Sequence, residues 1–451
     1  MKPFGWVLFL STPLTAQLTL EQAVDQALSR YPAVQASLEQ VAAASAGINL
    51  ARASYLPRAD FLGQVNRSTH NNVFGMLLAQ PVVSPISGPV LRTNSLDNVW
   101  GTAVGVLVSW EPFDFGLRKA SVDAADRTRK RAEAQVDVTR LQVGAAAADA
   151  FLTTLAAQQT VVAAEAGVER ARVLDRAVTA LVRSELRPGV EASRTGAEVA
   201  LAQTQRIRAD QAVEEGRAAL AQLLGVEAAT IAIAPGGLLG MPPDGGGGAS
   251  EAARHPLAIA QNAVVEEGVG RERVLDRSLF PRFALQGTTY ARGTGVQPDG
   301  ATGGAASGLG PNIQNWGLGM TVTFPALDGP SLRARREIEQ ARRRSETARY
   351  NQILQDVNGQ IEKARVQVAG ARRVAQHTPA QLAAARAVEQ QAGARYQAGL
   401  GTIVEVAEAQ RLLAQAEIDD SLARLSVWRA MLALAAARGD VNDFVRQAGR
   451  P

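Results

Sequence analysis

Between Trp100 and Trp110 mostly large apolar positions alternate with mostly small ones. Trp100, Thr102, Val104, Val106, Val108 and Trp110 share one side, and Gly101, Ala103, Gly105, Leu107 and Ser109 share the other. A period of two predicts a strand. Ten steps of about 3.3 Å, tilted about 45°, rise roughly 23 Å, close to the apolar band of an outer membrane. A large apolar face opposite a small, partly polar one, with an aromatic at each end, is how a transmembrane β-barrel strand reads. Taken alone, the segment equally suits a sandwich strand. It has a second copy, in which Trp316, Leu318, Met320, Val322 and Phe324 oppose Gly317, Gly319, Thr321 and Thr323. Ala59, Phe61, Gly63 and Val65 alternate with Asp60, Leu62, Gln64 and Asn66, as do Phe283, Leu285 and Gly287 with Ala284, Gln286 and Thr288. The pattern therefore predicts four strands in two pairs, at about 57–68 and 99–111, then 281–292 and 315–324.

The two pairs belong to an internal duplication. Pro32 and Pro57 recur 224 residues later as Pro256 and Pro281, and Asp114 and Glu191 recur 214 residues later as Asp328 and Glu405. That spacing is too long for a solenoid unit and suggests two copies of one domain. Each copy continues into helix. From Leu117 to Arg183 there is no proline, and the apolar residues keep helical spacing. A continuous helix of that length runs roughly 100 Å. A break at Arg187-Pro188-Gly189 precedes a second helix, 192–224, which stops at Gly225. In the second copy helix is predicted over 332–396, a break at Gly399-Leu400-Gly401-Thr402, and helix again over 403–438. Pro379 has no counterpart in the first copy and is predicted to kink or divide its helix. Asp114 and Asp328 stand where a strand hands over to a helix, which suits N-cap hinges.

Composition narrows the class. The chain has 451 residues, few aromatics and no cysteine, so disulfides, thiolate metal sites and lipid-modified cysteines are excluded. No stretch reaches about 18 apolar residues, which excludes a helical membrane protein. Lys2, the run Phe4 to Leu10 and Leu14-Thr15-Ala16 read as a signal peptide over 1–16. The net charge is +4, and Arg333, Arg335, Arg336, Arg342, Arg343 and Arg344 alternate with Glu337, Glu339 and Glu346, a solvated face that excludes nucleic acid. His70, His255 and His377 lack metal-ligand spacing, so no metal and no cofactor are expected. The glycine-rich segment 226–249 lacks a phosphate-loop lysine and reads as a linker. His70–Asn98 and Gly293–Asn315 suit loops between barrel strands.

Further motifs carry a family resemblance. Leu18-Thr-Leu-Glu-Gln-Ala-Val-Asp-Gln-Ala-Leu28 precedes Tyr31-Pro32, and Tyr55-Leu-Pro57 enters the first strand. Trp110-Glu-Pro-Phe-Asp-Phe-Gly116 and Phe324-Pro-Ala-Leu-Asp-Gly329 join strand to helix, and Tyr396-Gln-Ala-Gly399 leads to Thr402-Ile-Val-Glu405 and Ala409. Each is weak alone, but their order and duplication over residues 17–440 resemble the TolC family of outer-membrane efflux proteins. The first tip departs from the family pattern, with Glu185 in place of glycine and Pro188-Gly189 after it.

The resemblance implies a mainly α protein with a transmembrane β part: repeats 17–225 and 250–440, then a tail over 441–451. Four strands cannot close a barrel, whose minimum is eight, and open edges in lipid leave backbone groups unsatisfied. The family solution is a homotrimer that shares a twelve-stranded barrel and continues as a helical tunnel across the periplasm. The implied function is the exit duct of a tripartite efflux pump or type I secretion system, not an enzyme. Its implied partners are a periplasmic adaptor (membrane fusion) protein, an inner-membrane pump of RND, ABC or MFS type, and outer-membrane lipid. Trp100, Trp110, Trp316 and Phe324 would form the aromatic girdle. Arg187, Pro188, Gly189 and Gly399, Leu400, Gly401, Thr402 would be adaptor-docking tips, and Pro379 the bend that narrows the entrance. Two alternatives stay open: a soluble periplasmic alanine-rich coiled-coil scaffold, which leaves the strands unexplained, and a secreted lyase, which lacks a clustered acid–base constellation.

Overall fold

The computed structural model describes residues 17–69, 98–243, 251–297, 301–325 and 328–449. The signal-peptide segment, His70 and the first loop lie outside them. The chain runs helix–strand–strand–helix twice: α1 (Leu20–Arg30), α2 (Pro32–Ala53), β1 (Arg58–Thr69), β2 (Asn98–Phe113), α3 (Leu117–Arg183), α4 (Gly189–Leu224), then α5 (Pro256–Arg277), β3 (Arg282–Thr294), β4 (Ile313–Thr323), α6 (Gly329–Gln397), α7 (Ile403–Arg438) and α8 (Asn442–Ala448). The compact units are not the two repeats. One unit combines residues up to 42 with 130–264 and 345–451, the other combines 43–129 with 265–344, and each draws on both repeats.

The first unit is helical. A capping box starts α1: the Thr19 hydroxyl accepts the Gln22 amide and the Gln22 side chain accepts the Thr19 amide. Leu20, Ala23, Val24 and Ala27, at helical spacing, then meet Phe151, Leu152 and Leu155 of α3 and Leu220 and Leu224 of α4 in the main core. Two segments read as loose ends belong to this core. Residues 226–243 are not a plain linker: Leu18 bridges Ile233, the Ile231, Ile233 and Leu238 side chains are buried, and the Trp428 indole donates to the Gly240 carbonyl at 3.0 Å. The tail beyond 441 holds α8, whose Phe444 packs edge-on against Trp428 with ring centres 6.1 Å apart. In both places a few large apolar side chains outweigh a polar, glycine-rich or charged surrounding. Gly225 and Gly439, 214 residues apart, end α4 and α7 in the left-handed conformation.

The second unit carries the sheet, a single antiparallel meander in the order β1-β2-β3-β4. The two predicted pairs are thus joined through β2 and β3, and β1 and β4 are its edges. β2 runs past Trp110 to Phe113 through a register shift that the alternation does not reveal. β4 stops at Thr323, so Phe324, predicted inside the strand, lies just beyond it, before Pro325. The helices differ from prediction at three points. α4 begins at Gly189, three residues early, because Pro188 is extended and already serves as its N-cap. α6 begins at Gly329, since Pro330 falls in the first turn, where no amide partner is lost. Pro379, predicted to kink or divide its helix, does not divide it, because α6 continues through it from Gly329 to Gln397. Among the described residues no helix is long and apolar enough to cross a membrane.

Candidate functional site

Strand register fixes which side chains share a face, because directly opposed residues of an antiparallel pair point the same way. Phe61 opposes Val106, Val106 opposes Thr289, and Thr289 opposes Trp316. The next rows align Ala59, Val108, Gly287 and Leu318, then Trp110, Leu285 and Met320. The four bulky strand faces therefore merge into one apolar surface. It is bare: Phe61, Trp316, Leu318 and Met320 are 85%, 82%, 72% and 68% exposed. The opposite face gathers Gly105, Tyr290 and Asn315 in one row and Ser109, Gln286 and Gly319 in another. Gly105 is glycine for a reason, since a Cβ there would sit 2.4 Å from that of Tyr290.

The four aromatics expected to form a girdle do not behave alike. Trp316 and Phe324 are free on the surface. Trp110 is partly exposed, but its indole donates to the Tyr55 carbonyl at 3.0 Å. Trp100 is half-buried: the Arg67 guanidinium lies 5.1 Å over its ring, and its carbonyl accepts the Gly295 amide. Beside it, the Thr102 hydroxyl donates to Gly308 of the β3–β4 connection at 2.9 Å.

The hinges differ more. Asp114 is buried and accepts the Gly116 and Arg118 amides at 3.0 and 2.8 Å and the Arg118 guanidinium at 2.7 Å. Burial pushes its carboxyl up, but the Arg118 side chain and the two amides more than offset this and hold its pKa below the usual value. Arg118 also donates to Ser54 and lies 4.7 Å over the Tyr55 ring. Phe115, at φ +50, completes the turn and stacks with Phe280. Asp328, the predicted second N-cap, is exposed, and among the described residues its carboxylate makes no capping bond. Its carbonyl accepts the Leu332 amide. The place of Arg118 is taken there by Leu332, so the carboxylate lacks a cation to hold it.

The tips lie in the helical unit and share one backbone design. Leu186 donates to Leu181 and Leu400 donates to Arg395, both at 2.9 Å, closing the 6→1 bond of a Schellman turn. The left-handed residue is Gly399 (φ +75) in one and Glu185 (φ +60) in the other. Gly189 and Gly401 do not adopt a positive φ. Gly401 instead makes a close approach, 3.3 Å from Tyr396 N for an added Cβ. The Thr402 hydroxyl caps α7 by accepting the Glu405 amide, whereas Pro188 offers α4 no side-chain cap. The sequence did not reveal what binds one tip to the other. The Tyr396 hydroxyl donates to Glu191 at 2.7 Å, and Arg187 lies 4.8 Å over the Tyr396 ring and 3.9 Å from Glu191. Val178, Ile403 and Val406 pack beneath. Burial, then the bond and charge of Glu191, push the Tyr396 pKa up to about 12, with Arg187 opposing. Pro379 lies on the exposed side of α6; the preceding Thr378 is buried and donates to Asp420 of α7 at 2.9 Å. His255, the counterpart of Tyr31, is also buried; it accepts the Leu257 amide on Nδ1, and its Nε2 faces the Ala436 carbonyl, a packing role.

Known proteins share this architecture. CmeC, an outer membrane channel of Campylobacter jejuni, superposes with a TM-score of 0.74 at 15% identity over 96% of this chain and 89% of that one. VceC, an outer membrane protein of Vibrio cholerae, gives 0.72 at 17% identity over 93% and 96%. At such identity the likeness shows the fold alone. In sequence, the pyoverdine export outer membrane protein OpmQ of Pseudomonas aeruginosa is 25% identical over 77% of this chain and 72% of its own length. CyaE of Bordetella pertussis is 29% identical, but the alignment spans 49% of this chain and only 43% of CyaE. The family description Outer membrane efflux protein matches residues 23–226 and 253–440, most of both repeats. The chain belongs to the outer membrane efflux protein family, the TolC-type proteins of the outer membrane.

Proposed function

We propose that this chain is one third of a homotrimeric exit duct that passively conducts substrates from an inner-membrane pump, through a periplasmic adaptor, to the exterior. The observation that carries the reading is the continuous bare apolar face on a sheet with two open edges. Such a face suits lipid, and lipid does not tolerate open strand edges. Two copies would reach the eight-strand minimum; family likeness favours three and twelve strands. Export by OpmQ, its relative, supports the direction of transport.

The reading is tested by placing arginine on each face. Met320→Arg should block assembly, at roughly 2–4 kcal/mol per site near mid-bilayer. Gly319→Arg, where a new side chain meets open space, should be tolerated. Mass in mild detergent should give three chains for the unsubstituted protein. A membrane-inserted monomer, or equal damage from both substitutions, defeats the reading.

Three finer assignments depend on it. The tips 187–189 and 399–402 are the adaptor-docking surface, with Trp100, Trp110, Trp316 and Phe324 marking the membrane boundaries. Pro379 sets an inward bend near the entrance, because it removes the amide that would bond to Ala375. Pro379→Ala should raise single-channel conductance in planar bilayers, and an unchanged value in an intact trimer removes Pro379 from the gate.

A further inference from the structure

The small-residue face of the sheet carries an uneven charge. Together the four strands hold four arginines, one aspartate and one glutamate. Arg67 is on the apolar face, opposite Trp100. Arg58, Asp60, Arg282 and Arg292 are on the other, opposite Ser109, Leu107, Thr323 and Ala103. Arg58 donates to Asp60 at 3.0 Å, so one cation there is compensated. Arg282 is its counterpart 224 residues on, but Ala284 stands where the first repeat has Asp60. Arg282 is exposed and among the described residues has no ion-pair partner. Equivalence in the repeat also bears on height. The ladder sets Arg58 in a row with Ser109, Gln286 and Gly319, so Arg282 lies four residues nearer the helices along its own strand. In a barrel of tilted strands, a stagger of this kind brings equivalent residues towards one level.

We propose that Arg282 gives the duct a preference for anions, an inference that rests on reading the small face as the lumen. In a three-chain barrel, three guanidiniums without an ion-pair partner then ring the helix-proximal end of the lumen, near Glu111 in the irregular stretch of β2 and alternating with three Arg58–Asp60 pairs. A ring of like charge in a low-dielectric wall concentrates counter-ions, and its reach is about 8 Å at physiological salt. Carboxylate- or phosphate-bearing solutes would pass ahead of cations of the same size. Guanidinium suits this role because it stays charged at every working pH.

The experiment is the zero-current potential of the full-length protein in planar bilayers across a potassium chloride gradient. The unsubstituted duct should sit towards the chloride equilibrium potential. Arg282→Glu should move it towards that of potassium, Arg282→Gln should move it part of the way, and Arg282→Lys should leave it in place. Arg67→Gln, on the other face, should change nothing. Cation preference in the unsubstituted duct, or an unmoved potential in Arg282→Gln and Arg282→Glu, overturns the inference. Failure of the unsubstituted protein to form channels would instead defeat the duct reading beneath it.

Discussion

Asp114 and Asp328 hold the same place in the two repeats, yet only one is built into its hinge. Asp114 closes a buried network with Arg118, Gly116, Ser54 and Tyr55, while Asp328 is exposed. The tips repeat the lesson in reverse. Their closing turns make the same backbone hydrogen bonds, but one left-handed position is glycine and the other glutamate. Duplication has preserved backbone geometry, which hydrogen bonds within each turn enforce. The long-range side-chain chemistry has diverged, because each network needs partners that a single substitution removes.

The hinge comparison predicts the largest effect. Asp114→Ala leaves the Arg118 guanidinium, whose side chain is 9% exposed, without its partner. The expected loss is about 3–5 kcal/mol, as for other broken buried pairs. Asp328→Ala should stay within about 0.5 kcal/mol, as for an ordinary surface change. Unfolding midpoints of the detergent-solubilised protein measure both. Similar losses at the two sites would show that the hinges are equivalent after all.

The tip comparison is worth less energy but reads function as well. Gly399→Ala places a Cβ in the left-handed region and should cost about 1–2 kcal/mol, while Glu185→Gly should recover a similar amount. Opposite signs sharpen the comparison, and equal signs break it. If Gly399→Ala still assembles, adaptor crosslinking at normal yield would remove Gly399 from the docking surface.

How much of this was legible depends on the range of the interaction. The alternation from Trp100 to Trp110 exposed the strands because period two is local, whereas the bulge before Phe113 left the pattern intact and so stayed hidden. Proline and glycine marked the tips, yet Glu185 concealed the left-handed position in the first. The loss of the second hinge was readable in principle, since Leu332 replaces Arg118 at the repeat spacing. The burial of 226–243 was not, because Ile231, Ile233 and Leu238 are sparse among glycine and proline and find their partners far along the chain. Tyr396 and Glu191 are 205 residues apart, and neither residue alone signals the other.

That pair supplies the smallest and sharpest test. In the other repeat Tyr396 is matched by Val182 and Glu191 by Glu405, so the clamp exists once. Tyr396→Phe keeps the ring beneath Arg187 but removes the bond to Glu191, at a cost of about 1 kcal/mol, or somewhat more because the acceptor is charged. The pH dependence has a definite sign. The folded-state pKa of Tyr396 is raised from 10.0 to about 12, so the folded form holds its proton more tightly than the unfolded chain. Its contribution is fully present below pH 10 and is lost as pH rises from there through about 12. The difference in tyrosinate absorbance between the parent and Tyr396→Phe should be one step centred near 12, and the stability gap between them should narrow over the same window. A step at the ordinary tyrosine value would mean that burial and Glu191 do not hold this hydroxyl, and that packing of the ring alone joins the two tips.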